Sequence, residues 1–363
     1  MILFRATSHH QLINAIAIKL QYCRDEQADL MLSNHTDFSN ILDNIRSCGI
    51  FRNVYYVDDV KVSSEFLALS PDQRLEASKH ITNMWDVEPD CEYSDYYYGH
   101  NILANKFYYY YLVGKQGSVI PHSFQEGTSS YLADPWAELQ KGPIAHGCYG
   151  ENSLLNKLAD LYMYLPDQLL YTSPVEVKPI DISTDELRSI VKQIYQPPAL
   201  PKQKYIYIAV CSEFHKLSSN ESALVEYIGD LVGKDNLVIK NHPRSSIDKF
   251  SYRGFSVMDS SIAFEAYLMD PAIKDKILIA PLSTALMSAE FMLDDFRAII
   301  CKELLACDHS RFVPKGSMNV FLKNMTESAV NSDGSPSFYY AKNKQHFSDI
   351  ITYLRGKEKM NAN

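Results

Sequence analysis

No uninterrupted apolar run in this 363-residue chain approaches the ~18–20 residues that a helix needs to cross a bilayer. Basic charge is also scarce: 35 Lys and Arg stand against 44 Asp and Glu, a net charge of −9. That balance argues against a nucleic-acid partner, whose affinity rests on neutralising phosphates. It leaves room for a local basic pocket holding one phosphorylated small molecule. The seven cysteines (Cys23, Cys48, Cys91, Cys148, Cys211, Cys301, Cys307) are scattered and never form a C-x-x-C pair. Free thiols in a reducing compartment fit this better than a disulfide framework or a zinc site. Cys301, Cys307 and His309 cluster, but at no usual zinc spacing. The fingerprints G-x-G-x-x-G, G-x-x-x-x-G-K-[ST] and G-x-S-x-G are missing, so dinucleotide, P-loop and serine-hydrolase readings lack their motifs. No D-x-D pair for a metal-bound nucleotide sugar stands at a strand end; Asp58-Asp59 comes nearest and reads as a solvated turn. A charge at Arg5 follows directly on Met1-Ile2-Leu3-Phe4, so no secretory signal is expected and a cytoplasmic location is.

What is present is a soluble, globular composition, 46% hydrophobic and 22% charged. The length exceeds one typical core, so two domains are expected. Ile2–Ala6 reads as a strand, Thr7 or Ser8 as a cap, and Leu12, Ile13, Ala15, Ile16 and Leu20 as the apolar face of a helix. Further strands are expected at Asp29–Leu32, Val54–Val57 and Ser118–Ile120, and helices at Phe38–Ser47, Asn101–Val113, Leu154–Tyr164 and Thr184–Tyr195. Ser183 and Glu186 are spaced as a capping box for the last of these. Tyrosines bunch between Tyr93 and Tyr111; of the four consecutive rings Tyr108–Tyr111 at least half are expected in the core, with a minority lining a sugar site.

Gln196-Pro197-Pro198-Ala199-Leu200-Pro201 is the best linker. It divides the chain into 1–195, a linker over 196–202, a second α/β domain over 203–335, and a terminal segment, 336–363, whose helix could return to the first domain. The second half repeats the strand–helix grammar: strands at Tyr205–Val210, Leu237–Lys240, Ile277–Ala280 and, as the last, Ala298–Ile300, with helices at Glu221–Val232, Ile262–Leu268, Ala285–Met292 and Gln345–Leu354. The expected fold class is α/β, with two doubly wound Rossmann-like domains facing a cleft.

Four places could carry chemistry. Leu237-Val238-Ile239 is a buried strand that stops at Lys240-Asn241-His242-Pro243-Arg244, where proline ends the strand and leaves an imidazole between two cations. Gln125-Glu126-Gly127 sets a carboxylate beside a glycine at another strand end. Ser283-Thr284 opens a helix, where hydroxyls and amide N–H groups together suit a phosphate. Glu265 lies on a helix between strands Leu237–Lys240 and Ile277–Ala280 and could accept hydrogen bonds from ribose hydroxyls.

Taken in order, strand–Lys-x-His-Pro, Phe264-Glu265 and strand–Ser283-Thr284 resemble the nucleotide-binding half of bacterial sialyltransferases of the GT-B type. Glu126-Gly127 resembles their acidic-acidic-glycine motif. The opening Ala6-Thr7-Ser8-His9-His10-Gln11-Leu12 is similar to that of the lipooligosaccharide sialyltransferases (glycosyltransferase family 52), with the capsular polysialyltransferases as further relatives. The resemblance implies an inverting, metal-independent transfer of sialic acid from CMP-sialic acid to a terminal sugar such as galactose on a bacterial surface glycan, with no cofactor. His242 would protonate or hydrogen-bond the leaving phosphate, Ser283 and Thr284 would hold it, Lys240 would approach the cytosine through its side chain or its backbone, and Glu265 would bind ribose. Pro243 and Arg244 would belong to the same donor site. Glu126 would be the base, with Gly127, Ser8, His9 and His10 on the acceptor side in the first domain; Glu213 is a second candidate base. Two departures stand out: Gln125 replaces the first acid, and Ser-Thr replaces two serines. The implied partners are a nucleotide-sugar donor and an oligosaccharide or lipid-linked glycan acceptor, with peripheral membrane association and homodimer formation left open. Competing readings are a CMP-Kdo or UDP-hexose transferase, a non-catalytic glycan-assembly partner, and a UDP-sugar epimerase of the same architecture.

Overall fold

The computed structural model describes residues 1–85, 89, 91–99, 103–140, 154–210, 220–242, 250–281, 283–305 and 316–361. The chain divides into two units, Met1–Tyr195 and Gln196–Asn363. The described strands of the first are β1 (Ile2–Ala6), β2 (Ala28–Ser33), β3 (Val54–Val57), β4 (Asp95–Tyr98), β5 (Ile120–Phe124), β6 (Asp160–Met163) and β7 (Glu176–Pro179). They form one sheet in the order β3-β2-β1-β4-β5-β6-β7, and every pair is parallel. β1 and β2 are buried along their whole length, as strands covered by helices on both faces must be. Two charges sit among them: Arg5 is fully buried, ion-paired with Asp59, and lies 4.9 Å from the Trp85 ring, and Asp29 is fully buried and paired with Arg52 at 2.8 Å. Tyr96, Tyr98, Tyr108, Tyr109 and Tyr111 pack into the same core, as the tyrosine run led one to expect.

The second unit holds β8 (Tyr205–Ile208), β9 (Leu237–Lys240), β10 (Ser256–Met258), β11 (Ile277–Ala280), β12 (Arg297–Ile300) and β13 (Phe338–Tyr340). Their order is β10-β9-β8-β11-β12-β13, again all parallel. Helix Lys344–Asn361 lays Phe347, Ile350, Ile351 and Leu354 into this unit's own core, against Tyr205, Val225 and Ile228. In each sheet the strand order reverses beside the first strand, between β1 and β4 and between β8 and β11. Those are the switch points where open α/β sheets leave a crevice at their carboxyl edge.

Several expectations need correction. Leu154–Tyr164 is not a helix: a short 3-10 turn, Leu154–Lys157, leads into β6. Leu154, Leu155, Leu158, Leu161 and Tyr162 match helical spacing only because both faces of this strand and its approach are buried. β5 begins two residues later than expected and runs through Pro121. The Pro121 carbonyl accepts the Ala159 N–H, and the ladder to β6 opens only at His122 opposite Asp160, so the missing proline N–H removes no rung. The capping box also fails. Thr184 caps its helix by accepting the Leu187 N–H, while Ser183 bonds Asp181 and Glu186 pairs with Arg24. β12 is not the last strand, since β13 lies beyond it.

Candidate functional site

In the second unit β8 lies between β9 and β11, so the residues that follow β9 and β11 flank the crevice. Asn241 and His242 leave the carboxyl end of β9, with His242 half-buried. Ser283 is the cap of helix Thr284–Met292: its backbone is extended and its hydroxyl accepts the Ala285 N–H at 3.2 Å. The capping role and the expected phosphate role fall on the same hydroxyl, since a capped helix start still presents its positive end to an anion. Thr284 stands at the first helical position, also half-buried.

Lys240 is buried at the end of β9. Its side chain turns inward and donates to the Asp259 carbonyl at 2.8 Å, and its own carbonyl accepts the Ala209 N–H of the ladder to β8. Burial lowers its pKa to about 8, against the opposing pull of Asp259 and Glu265. Glu265 is buried and accepts from the Ser288 hydroxyl at 3.4 Å. Lys240 thus ties the end of β9 to the residue that follows β10, while Glu265 ties its own helix to helix Thr284–Met292. Glu221, which no sequence motif singles out, pins the end of β8. It is 1% exposed and accepts the Val210 N–H at 2.8 Å and the Tyr207 hydroxyl at 3.2 Å. Glu213, Pro243 and Arg244 lie outside the described residues.

The first unit carries its own set at the carboxyl edge. Ser8 caps helix His9–Tyr22 by accepting the Gln11 N–H. His9 Nδ1 meets the Tyr195 hydroxyl at 3.0 Å and its ring packs edge-on to Phe38, so it ties this helix to helix Asp185–Tyr195. His10 packs edge-on to Tyr164, whose hydroxyl donates to Asn14 Oδ1 at 2.5 Å. Glu126 is half-buried just past β5, with its N–H bonded to the Ser130 hydroxyl at 3.0 Å. Gly127 takes φ of 157°, a value that favours glycine and lets the chain turn directly into helix Ser129–Leu132. Gln125 is buried and accepts from the Tyr131 hydroxyl and the Tyr164 N–H at 2.6 and 3.0 Å. Among the described residues no three His, Cys, Asp or Glu side chains converge as a metal site, and no helix is long and apolar enough to cross a membrane.

No family model and no curated protein matches the chain. Its fold is similar to that of a putative UDP-N-acetylglucosamine 2-epimerase from Listeria monocytogenes, with a TM-score of 0.56 and 8% identity over 99% of this chain and 88% of that one. It is also similar to UDP-GlcNAc 2-epimerase from Methanocaldococcus jannaschii in complex with UDP-GlcNAc and UDP, with a TM-score of 0.50 and 11% identity over 97% of this chain and all of the other. Both likenesses run through both units.

Proposed function

With the two-Rossmann-unit GT-B fold as premise, we propose that the chain is a glycosyltransferase that binds a nucleotide sugar at the carboxyl edge of its second sheet. The donor in this reading is CMP-sialic acid, and the acceptor is a terminal sugar such as galactose on a bacterial surface glycan. The observation that carries it is the bracketing of the β8/β11 switch point by His242 on one side and Ser283-Thr284 on the other. A phosphate there meets a helix N-terminus and a hydroxyl pair, and the imidazole past the end of β9, on the other side of β8, gives it a proton. Charge that builds on the leaving phosphate is neutralised where it forms, which is the main electrostatic demand of the step. Glu126 takes the proton of the acceptor hydroxyl in a single displacement, so the anomeric centre inverts. Glu213 remains the second candidate for that base.

The resemblance of the ordered motifs supports CMP over other nucleotides. A second reading has its own observation: both fold likenesses given above are to UDP-GlcNAc 2-epimerases. In that reading the same edge binds UDP, and the chemistry is hexose transfer or epimerisation of a UDP-sugar. Thermal shift with CMP and UDP, followed by incubation with CMP-sialic acid and lactose, separates them. The sialyltransferase reading expects CMP to stabilise the protein more than UDP, and CMP to be released when lactose is present. Stabilisation by UDP alone, with CMP-sialic acid left intact across acceptors, selects the second.

A further inference from the structure

Beneath the crevice of the second sheet lies a buried cation that the proposed transfer chemistry does not use. Lys240 is 2% exposed, and an ammonium carries three N–H donors. Among the described residues it has one acceptor, the Asp259 carbonyl at 2.8 Å. Its neighbours on the same face of the sheet are apolar: Val238 and, in register, Ile208 of β8 and Met258 of β10. Two carboxylates favour the charged form, Asp259 just past β10 and Glu265 on helix Phe264–Leu268. Burial outweighs both and brings the pKa down to about 8. The element packed next to that helix, Thr284–Met292, turns an uncharged hydroxyl, that of Ser288, toward Glu265.

What the ammonium holds leads to the nucleotide edge. The Asp259 carboxylate accepts the Ser261 N–H and hydroxyl at 2.8 and 2.7 Å, which shapes the turn from β10 into helix Phe264–Leu268. Ala263, at the start of that helix, supplies no side-chain cap. The Lys240 bond is therefore what joins this turn to the end of β9. Glu265 stands in the first turn of the helix and accepts from the Ser288 hydroxyl, which also lies 3.3 Å from the Thr284 carbonyl. A continuous line thus runs from Lys240 through the Asp259 turn and Glu265 to the helix that Ser283 caps.

We infer that Lys240 is a positioning residue for nucleotide binding: its charged side chain fixes the Asp259 turn, and through it Glu265 and the start of helix Thr284–Met292, without touching the nucleotide. A neutral amine is a weaker donor to the carbonyl. It also removes the one positive charge beneath a phosphate site that already faces two carboxylates. Nucleotide affinity therefore follows the protonation of this group. The inference rests on the reading that a nucleotide binds at this edge, whether CMP or UDP.

The test is calorimetric titration of the full chain with CMP and with UDP across the range from about pH 7 to about pH 9, above the ionisation of ordinary histidines and of nucleotide phosphates. The free protein loses the Lys240 proton as pH passes about 8, and the bound state keeps it. Affinity is therefore full below that value and is expected to fall by about tenfold across the range. Lys240→Met, of similar length and without charge, is expected to bind about tenfold more weakly at the lower end and to show no further fall. Asp259→Asn keeps both the carbonyl for Lys240 and an acceptor for Ser261, and removes one charge that favours the ammonium. Its fall should begin at lower pH than in wild type; Asp259 is exposed, so this variant stands in should the buried substitution fail to fold. Wild-type affinity constant to within about twofold across the range, an equal fall in Lys240→Met, or an unshifted fall in Asp259→Asn would each overturn the inference. A wild type that binds CMP or UDP without this pH course loses the positioning role alone; one that binds neither loses the nucleotide site with it.

Discussion

His242 is a single side chain on which the proposed chemistry turns. It occupies a loop position past β9 and belongs to neither sheet's core. His242→Ala should therefore lower transfer by about 10²-fold or more, the usual contribution of a positioned acid, with an unchanged melting temperature; full turnover in that variant would remove the imidazole from the reaction. Glu290 makes a different point. Burial alone raises its carboxyl pKa to about 7, and its Oε2 has no hydrogen-bond partner among the described residues. In the unfolded chain the group ionises near 4.3, so the folded state holds the extra proton between there and about pH 7, and stability falls across that window as pH rises. Glu290→Gln should stabilise the protein at pH 7.5 by roughly 1 kcal/mol and make little difference at pH 4. A melting curve at each pH decides it. At this scale the sequence shows the place of His242, because a proline after a buried strand is a local signal. It does not show that Lys240 turns inward to the Asp259 carbonyl or that Glu221 pins β8, since those partners are distant in sequence and met only by folding.

Between elements, the strand starts of the first sheet carry a charged clamp. His122 on β5 stacks on Tyr97 at 4.2 Å and bonds Asp160 on β6 at 2.6 Å and Asp95 on β4 at 2.9 Å; Lys178 on β7 meets Asp160 at 2.6 Å. Desolvation pulls the imidazole pKa down, but the two carboxylates outweigh it and the net shift is upward. The stabilisation is therefore complete below the unfolded histidine value of about 6.5 and is lost as pH rises through the raised folded value. At the acid end it is lost as Asp95 and Asp160, both held below their ordinary value, become protonated. His122→Phe, which keeps the stack, should cost about 2 kcal/mol near pH 5.5, with the deficit shrinking toward pH 9. An equal deficit at both pH values would show that the clamp is not ionic. These strands were also the hardest to read. β4 is Asp-Tyr-Tyr-Tyr, with no alternation to mark it, and β6 shares its apolar spacing with a helix. β1, β3, β9 and β11 were legible because short apolar runs end abruptly at polar residues.

For the whole chain, each unit has its own parallel sheet and its own apolar core. Scanning calorimetry should resolve two transitions, with CMP moving only that of the second unit; one transition shifted as a whole would mean the units unfold together. The alternation of strands and helices on both sides of the proline stretch made the fold class readable, because parallel sheets need crossover helices. Gln11 stands inside the quoted opening motif and Gln125 inside the acidic one, yet their burial and fixed orientation arise only from Thr7, Tyr131 and Tyr164.

The central claim, that a nucleotide is held where β9 and β11 end, is tested most directly by amide hydrogen exchange of the full chain with and without saturating CMP. Protection concentrated at Lys240–His242 and at Ser283–Leu286 is the predicted result. Protection confined to the first unit, or no protection with either CMP or UDP, would contradict it.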